Sequence, residues 1–251
     1  AHAAGALTLD DATKIVALRA QALRALIGHG DMGSLALPAD QVTELLHTLA
    51  TTAPQSGGEG DSTHDRSTAT STSETEADAK GSLNGTPAND NGTPGAYIAT
   101  VNGPNATVIA GDPDAVATIV AHCKDRDIPA RVLPVGYASH TPHVEALRDE
   151  IRTALHDVQP AATDVAFYST YSGDRIDPTE LTADYWYDNL RHPVQFQTAT
   201  EALLRDGYAT FVEVSPHPVL IQPIEDTAAD HDVITIATAR RDSPDQLVTA
   251  L

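Results

Sequence analysis

The sequence predicts an α/β protein built from two units, one inserted within the other. Three observations carry this expectation. Strand-like runs alternate with stretches of helical periodicity along most of the 251 residues. Between Met32 and Val135 the runs follow the order β-α-β-β-α-β, the split βαβ pattern. A tract over 51–95 interrupts that order with Ser, Thr, Gly, Asp, Glu, Asn and Pro, and Leu83 is its one large apolar residue. Such a tract buries too little surface to offset its ordering entropy, so it is read as a disordered insertion.

Residues 7–27 read as a helix. Thr8 is placed to cap it, Asp10 and Asp11 suit the positive end of its dipole, and Gly28 and Gly30 end it. On a helical wheel Ala12, Ile15, Val16, Ala22, Leu23 and Leu26 share a face with Arg19 in its middle, while Lys14, Gln21 and Arg24 lie opposite. A short strand over 32–37 precedes a helix that Pro38 opens, with Val42, Leu45, Leu46 and Leu49 apolar. After the tract come a strand over 97–101, a turn at Asn102-Gly103-Pro104-Asn105 and a return strand over 106–110. Asp112 is read as the cap of the next helix, with Pro113 at its first position and Val116, Ile119, Val120 and Cys123 as its apolar stripe. A strand over 130–135 completes this unit. Beyond His140, a helix carries Val144, Leu147, Ile151 and Leu155. Strands are predicted over 165–169, 210–214 and 233–237, and helices over 183–190 and 194–206. The expected units are therefore 1–31 with 136–251, and 32–50 with 96–135, the second interrupted by 51–95.

The formal charge of −20 argues against nucleic acid and anionic membrane as partners, because both reward Lys and Arg. No apolar run approaches the roughly 18 residues of a membrane span, and the first five residues do not read as a secretory leader. One cysteine rules out an intramolecular disulfide framework and fits the reducing cytoplasm. The first residue is Ala rather than Met, which suggests a piece of something longer.

Two side chains stand out for chemistry. Arg19 falls on an apolar helix face, where a guanidinium costs several kcal/mol unless an acceptor meets it. It reads either as a structural ion pair or snorkelling side chain, or as a bidentate clamp for a carboxylate or phosphate. His140 follows a strand-like run and small residues and precedes a helix, the position of a general base at the carboxyl end of a strand. His143 makes an i, i+3 pair with it, but no third ligand with metal spacing stands out, so no metal is expected. Cys123 reads as core. The run 183–196 holds the one Trp and two of the seven Tyr, and is either a core plug or a pocket wall. Residues 211–218 read as a strand entering a Pro-bounded turn.

Six stretches, taken in order, resemble the acyltransferase domain of modular type I polyketide synthases, the fold of malonyl-CoA:acyl-carrier-protein transacylases. They are Ala3 to Ala12, Val16-Ala17-Leu18-Arg19, Val101-Asn102-Gly103-Pro104-Asn105, Tyr137-Ala138-Ser139-His140, Tyr185-Trp186-Tyr187 through Pro193-Val194-Gln195-Phe196, and Phe211 to Pro218. The resemblance covers nearly everything outside 51–95. It implies an α/β-hydrolase-like large subdomain, here partial, with an inserted ferredoxin-like small subdomain.

It also implies roles. His140 matches the base that activates a serine, and Asn189 matches the position whose backbone carbonyl orients that base. Arg19 matches the residue that pairs with the free carboxylate of a malonyl-type substrate. Tyr137, Ala138 and Ser139 occupy the extender-selectivity motif, and Tyr-Ala-Ser-His looks like the methylmalonyl-selective form, a small Ser leaving room for an α-methyl group. Acyl-CoA would be the substrate. The phosphopantetheine would be carried by a partner acyl carrier protein, other synthase domains would be neighbours, and no resident cofactor is implied. The family's Gly-His-Ser-x-Gly elbow does not occur in the sequence; in the family it would lie roughly seven residues before Ala1. The chain alone is therefore expected to be inactive in acyl transfer and, with strand edges exposed, prone to aggregate. Two competing readings are a non-catalytic module that docks a carrier protein or neighbouring domain, and a serine hydrolase of similar architecture.

Overall fold

A computed structural model of the chain describes residues 1–52 and 95–241. The expected disordered insertion falls almost wholly outside the described residues. Helix α1 spans Leu9–Leu23, and Thr8 caps it by accepting the Asp11 N–H at 3.0 Å. Strand β1 spans Asp31–Leu35, α2 Ala39–Thr52, β2 Ala96–Gly103, β3 Ala106–Gly111, α3 Pro113–Lys124 and β4 Ala130–Leu133. Helix α4 covers Arg148–Ala154 and follows a 3₁₀ turn over Pro142–Leu147. A hairpin of β5, Phe167–Ser169, and β6, Asp174–Ile176, precedes α5, Ala183–Arg191. Then come β7, Val194–Gln195; α6, Phe196–Arg205; β8, Thr210–Glu213; α7, Ile221–Thr227; and β9, Ile234–Ala237.

The main sheet has the order β4-β1-β3-β2-β7. Its first four strands are antiparallel, in the ferredoxin-like order, and β7 joins β2 in parallel through Thr100↔Val194 and Val101↔Gln195. Strand alternation divides the sheet's residues between two layers. Leu35 and Ile109 face α2 and α3 and pack with Val42, Val116, Ile119, Val120 and Cys123. Met32, Ala99, Val108 and Ala110 face the other way and close around Ala138. Gly30 permits that closure: a Cβ there would stand 2.7 Å from the Ala138 Cβ. A second core joins α1, α4 and α5 through Leu7, Ile15, Ala22, Val144, Leu147, Ile151, Leu155, Tyr187 and Leu190.

Four expectations need correction. Val16 is 71% exposed, because the buried stripe of α1 runs through Ile15, Ala22 and Leu26 with Leu18 beside it. Val194 and Gln195 form a strand, not the first turn of α6. The strand read to Val135 ends at Leu133, one residue before Pro134. Asp112 occupies the N-cap of α3 without a side-chain cap bond, and its carboxylate instead accepts the Gly95 N–H at 3.3 Å. Cys123 is fully buried, and burial raises its thiol pKa, as a core residue requires. No helix among the described residues is long and apolar enough to cross a membrane.

Candidate active site

The loop Tyr137-Ala138-Ser139-His140 is wedged between the sheet and α5. Thr141, wholly buried, donates to the Ala138 carbonyl at 2.8 Å and accepts the His143 N–H at 3.2 Å, so one hydroxyl closes the loop and starts the 3₁₀ turn. His140 itself has φ +60°, a left-handed conformation that costs a non-glycine residue about 1–2 kcal/mol. The strain is held by the end of α5. The His140 N–H donates to the Leu190 carbonyl at 2.9 Å, and its Nδ1 meets the His192 carbonyl at 2.9 Å. A carbonyl only accepts, so the proton sits on Nδ1 and the Nε2 lone pair is left as the acceptor.

The main orienting carbonyl is therefore that of His192, three residues beyond the expected Asn189, whose carbonyl is a further, weaker partner. The reason lies in how α5 ends. His192 is its extended C-cap, at φ −95° and ψ 159°, and Pro193 follows. That geometry turns the final carbonyl out of the helix axis toward His140. Burial lowers the His140 pKa from its usual value and the nearby Arg19 charge lowers it further, while the His192 and Asn189 carbonyls oppose both.

Arg19 lies half-buried on α1, with its guanidinium carbon 5.7 Å from the Trp186 ring centroid, a cation–π distance. Among the described residues no carboxylate lies within ion-pair distance of it. Burial lowers its pKa, opposed by Tyr185. The aromatic run over 185–187 is both plug and wall. Tyr187 is core, whereas Trp186 backs Arg19 and is fixed by its indole N–H on the Leu181 carbonyl at 2.9 Å. Tyr185 stands edge-on to Trp186 with centroids 5.1 Å apart.

Of the remaining predicted residues, Tyr137 is half-buried against the α1–α4–α5 core, and Ala138 is wholly buried against the sheet. Ser139 is 7% exposed and its hydroxyl meets Met32 Sδ at 3.7 Å. His143 diverges from His140, taking the His29 carbonyl at 3.1 Å and lying 3.6 Å from Asp112. Residue-type reasoning missed the His192 carbonyl, which no side chain announces; Pro193, marking a helix end beside an apolar core, was the available signal. Met32, the one methionine, lies on β1 and carries no sequence signal of its contact with Ser139.

The model of the acyl transferase domain family matches residues 63–251. Among curated relatives, erythronolide synthase EryA3 of Saccharopolyspora erythraea is 39% identical over 248 residues, 96% of this chain and 6% of the relative. Spectinabilin polyketide synthase system protein NorA of Streptomyces orinoci is 38% identical across 100% of this chain and 11% of its own length. Among solved structures, the acyltransferase domain from module 8 of the salinomycin polyketide synthase superposes with a TM-score of 0.77 at 35% identity, covering 98% of this chain and 49% of that one. A loading acyltransferase of the avermectin synthase gives 0.78 at 30% identity, covering 99% of this chain and 66% of that one. A malonyl-CoA:acyl carrier protein transacylase of Xanthomonas oryzae, at 21% identity and 0.71, shares the fold. The chain thus spans a small fraction of its curated relatives and about half of the first of these solved domains. With family model, relatives and fold in agreement, this chain belongs to the acyltransferase domains of modular polyketide synthases.

Proposed function

We propose that this chain supplies the base and the carboxylate grip of an extender-unit acyltransferase with methylmalonyl preference. A serine outside these 251 residues attacks the thioester of an acyl-CoA, and His140 Nε2 takes its proton. Backbone N–H groups beside that serine hold the oxyanion. The C–S bond breaks, the proton returns to the CoA sulfur, and an acyl-serine ester remains. The phosphopantetheine thiol of an acyl carrier protein then attacks the ester by the same relay in reverse. Neighbouring synthase domains present that carrier in the cytoplasm. The chain alone, having no elbow serine, does not turn over.

The observation that carries this reading is Arg19, a half-buried cation set against the Trp186 ring with no carboxylate within ion-pair distance among the described residues, whose charge disfavours protonation of His140. A substrate with a free carboxylate at its far end supplies the missing acceptor, and no monocarboxylic thioester does. The small, buried Ser139 supports space for an α-methyl group. The test uses an acyltransferase polypeptide that joins this chain to a serine elbow, assayed for transfer from methylmalonyl-CoA and acetyl-CoA to a carrier-protein thiol. Arg19→Ala is expected to erase discrimination by about 10²–10³-fold, as loss of a buried charge partner costs some 2–5 kcal/mol. Unchanged discrimination refutes the grip.

A further inference from the structure

We propose that Tyr171, at the tip of the turn between β5 and β6, is a positioning residue for His140, acting through the His192 peptide. This rests on the reading of His140 as the base. The His192 carbonyl fixes the imidazole, yet it stands beyond the last residue of α5 and leads into Pro193, which has no N–H to tie down that side of the chain. The turn after β5 does the holding. The Tyr171 ring lies tilted against the His192 ring with centroids 5.3 Å apart. Gln195 closes a clamp on the far side of Pro193: its N–H donates to the Thr170 carbonyl at 2.6 Å and its side-chain amide to the Tyr171 carbonyl at 2.9 Å. The peptide that carries the key carbonyl is thus pinned between a ring and two hydrogen bonds from one turn.

The turn is built to sit this low. Gly173 has φ +75°, and a Cβ on it would approach Thr198 Cγ2 of α6 to 2.9 Å. Ser169, 1% exposed, braces the turn from within by accepting the N–H groups of Tyr171 at 3.1 Å and Ser172 at 3.4 Å, and it bonds the Tyr185 hydroxyl at 2.8 Å. Tyr171 also meets the Tyr185 ring edge-on at 6.0 Å. Tyr185 in turn backs Trp186 and so the shelf under Arg19. One turn therefore braces both ends of the site. The Tyr171 hydroxyl makes no hydrogen bond among the described residues, so the ring and backbone carry the contact.

The charge that acts on His140 is that of Arg19 from α1; the His192 that holds it has Asp188 of α5 and Tyr171 of the turn beside its own ring, and His143 points away to Asp112. The His192 carbonyl favours the protonated ring, so loosening it lowers the proton affinity of His140. In the serine-containing polypeptide, Tyr171→Ala is expected to reduce kcat about 10–100-fold with KM little changed, the size of effect that misplacement of a reacting group brings. It should also move the acidic limb of the pH–rate profile to lower pH. Tyr171→Phe should restore both. Gln195→Leu, which keeps the β7 backbone pairing, should shift both in the same direction by less, and it decides the matter if Tyr171→Ala does not fold. Wild-type kcat and an unmoved limb in Tyr171→Ala, or in Gln195→Leu where that variant decides, overturn the inference. His140→Ala run alongside separates the two levels: if it transfers at the wild-type rate, the base assignment itself fails.

Discussion

Glu213 and Arg19 are both charged groups withdrawn from water, and the protein serves them in opposite ways. Glu213, at the end of β8, is 8% exposed. Its two oxygens accept the N–H groups of Val219 at 2.9 Å, Leu220 at 3.0 Å and Ile221 at 3.1 Å, and the Ser215 hydroxyl at 2.9 Å. Those N–H groups lead into α7, so the carboxylate satisfies donors that the start of that helix leaves open. Arg19 has an aromatic face beneath it and no protein acceptor within ion-pair distance among the described residues. A charge whose partners are all supplied by the fold serves the fold. A charge that folding withdraws from water but leaves unpaired is poised for something that arrives later.

Exchanging the two roles by mutation breaks the comparison if it is wrong. Arg19→Ala, with its large expected loss of substrate discrimination, should leave the chemical-denaturation midpoint nearly unchanged, since among the described residues it deletes no protein–protein ion pair. Glu213→Ala should do the reverse. It strands three backbone donors on partly exposed residues, so a stability loss of about 1–3 kcal/mol is expected at neutral pH, with discrimination intact. Burial by itself raises the Glu213 pKa, but the N–H groups of Val219 and Leu220, the Ser215 hydroxyl and the Ile221 N–H overcome it and the net direction is downward. A depressed carboxyl contributes stability above its unfolded-state pKa and loses it as pH falls through the folded value. The gap between wild type and Glu213→Ala should thus narrow in acid; a gap constant with pH would deny the carboxylate its role.

A smaller effect is expected at the loop proposed to set selectivity, where the issue is volume and not charge. Ser139→Phe puts a ring where a hydroxyl now meets Met32 Sδ, and it should turn the proposed preference for methylmalonyl-CoA toward malonyl-CoA. One methyl group is worth only about 1–3 kcal/mol in such a pocket, or roughly 10–200-fold. Competition between the two thioesters for one limiting carrier protein reads the ratio directly. A ratio equal to that of wild type removes Ser139 from the selectivity argument.

What the sequence disclosed, and what it hid, follows the same division between side chains and backbone. The cap at Thr8, the stripe of α3 and the oddity of Arg19 are written in residue types whose physics is local, and each is found where periodicity put it. Strand β7 was not legible: two residues next to a helix become a strand only because β2 lies beside them. The hairpin partner β6, Asp174-Arg175-Ile176, has no alternating pattern to find. Val16 is as apolar as Ile15, and only the placement of α4 and α5 decides which of them is buried. At the site, the Arg19 charge disfavours protonation of His140, while the group that holds the imidazole is a carbonyl that every residue possesses. Sequence patterns specify which side chains are unusual; they are nearly silent about which peptide planes a helix end will turn outward.

The subtlest consequence of the Arg19 charge is felt at His140 itself. Burial is the larger cause of the lowered proton affinity of the imidazole, and the guanidinium adds to it by disfavouring a second positive charge nearby. Replacing Arg19 with Ala removes that repulsion and admits water where the guanidinium stood, and both changes raise the His140 pKa toward its ordinary value. The base must be neutral to accept the serine proton, so the acidic limb of kcat/KM should move to higher pH in Arg19→Ala, opposite in direction to the shift expected for Tyr171→Ala. Arg19→Lys keeps the charge with a different donor geometry, so its limb should stay close to wild type even where its substrate discrimination falls. The measurement is a pH–rate profile with acetyl-CoA, a substrate that does not need the grip. If the limb stays fixed on removal of Arg19, the two side chains do not share an electrostatic environment, and the cleft they are proposed to form together is not a single site.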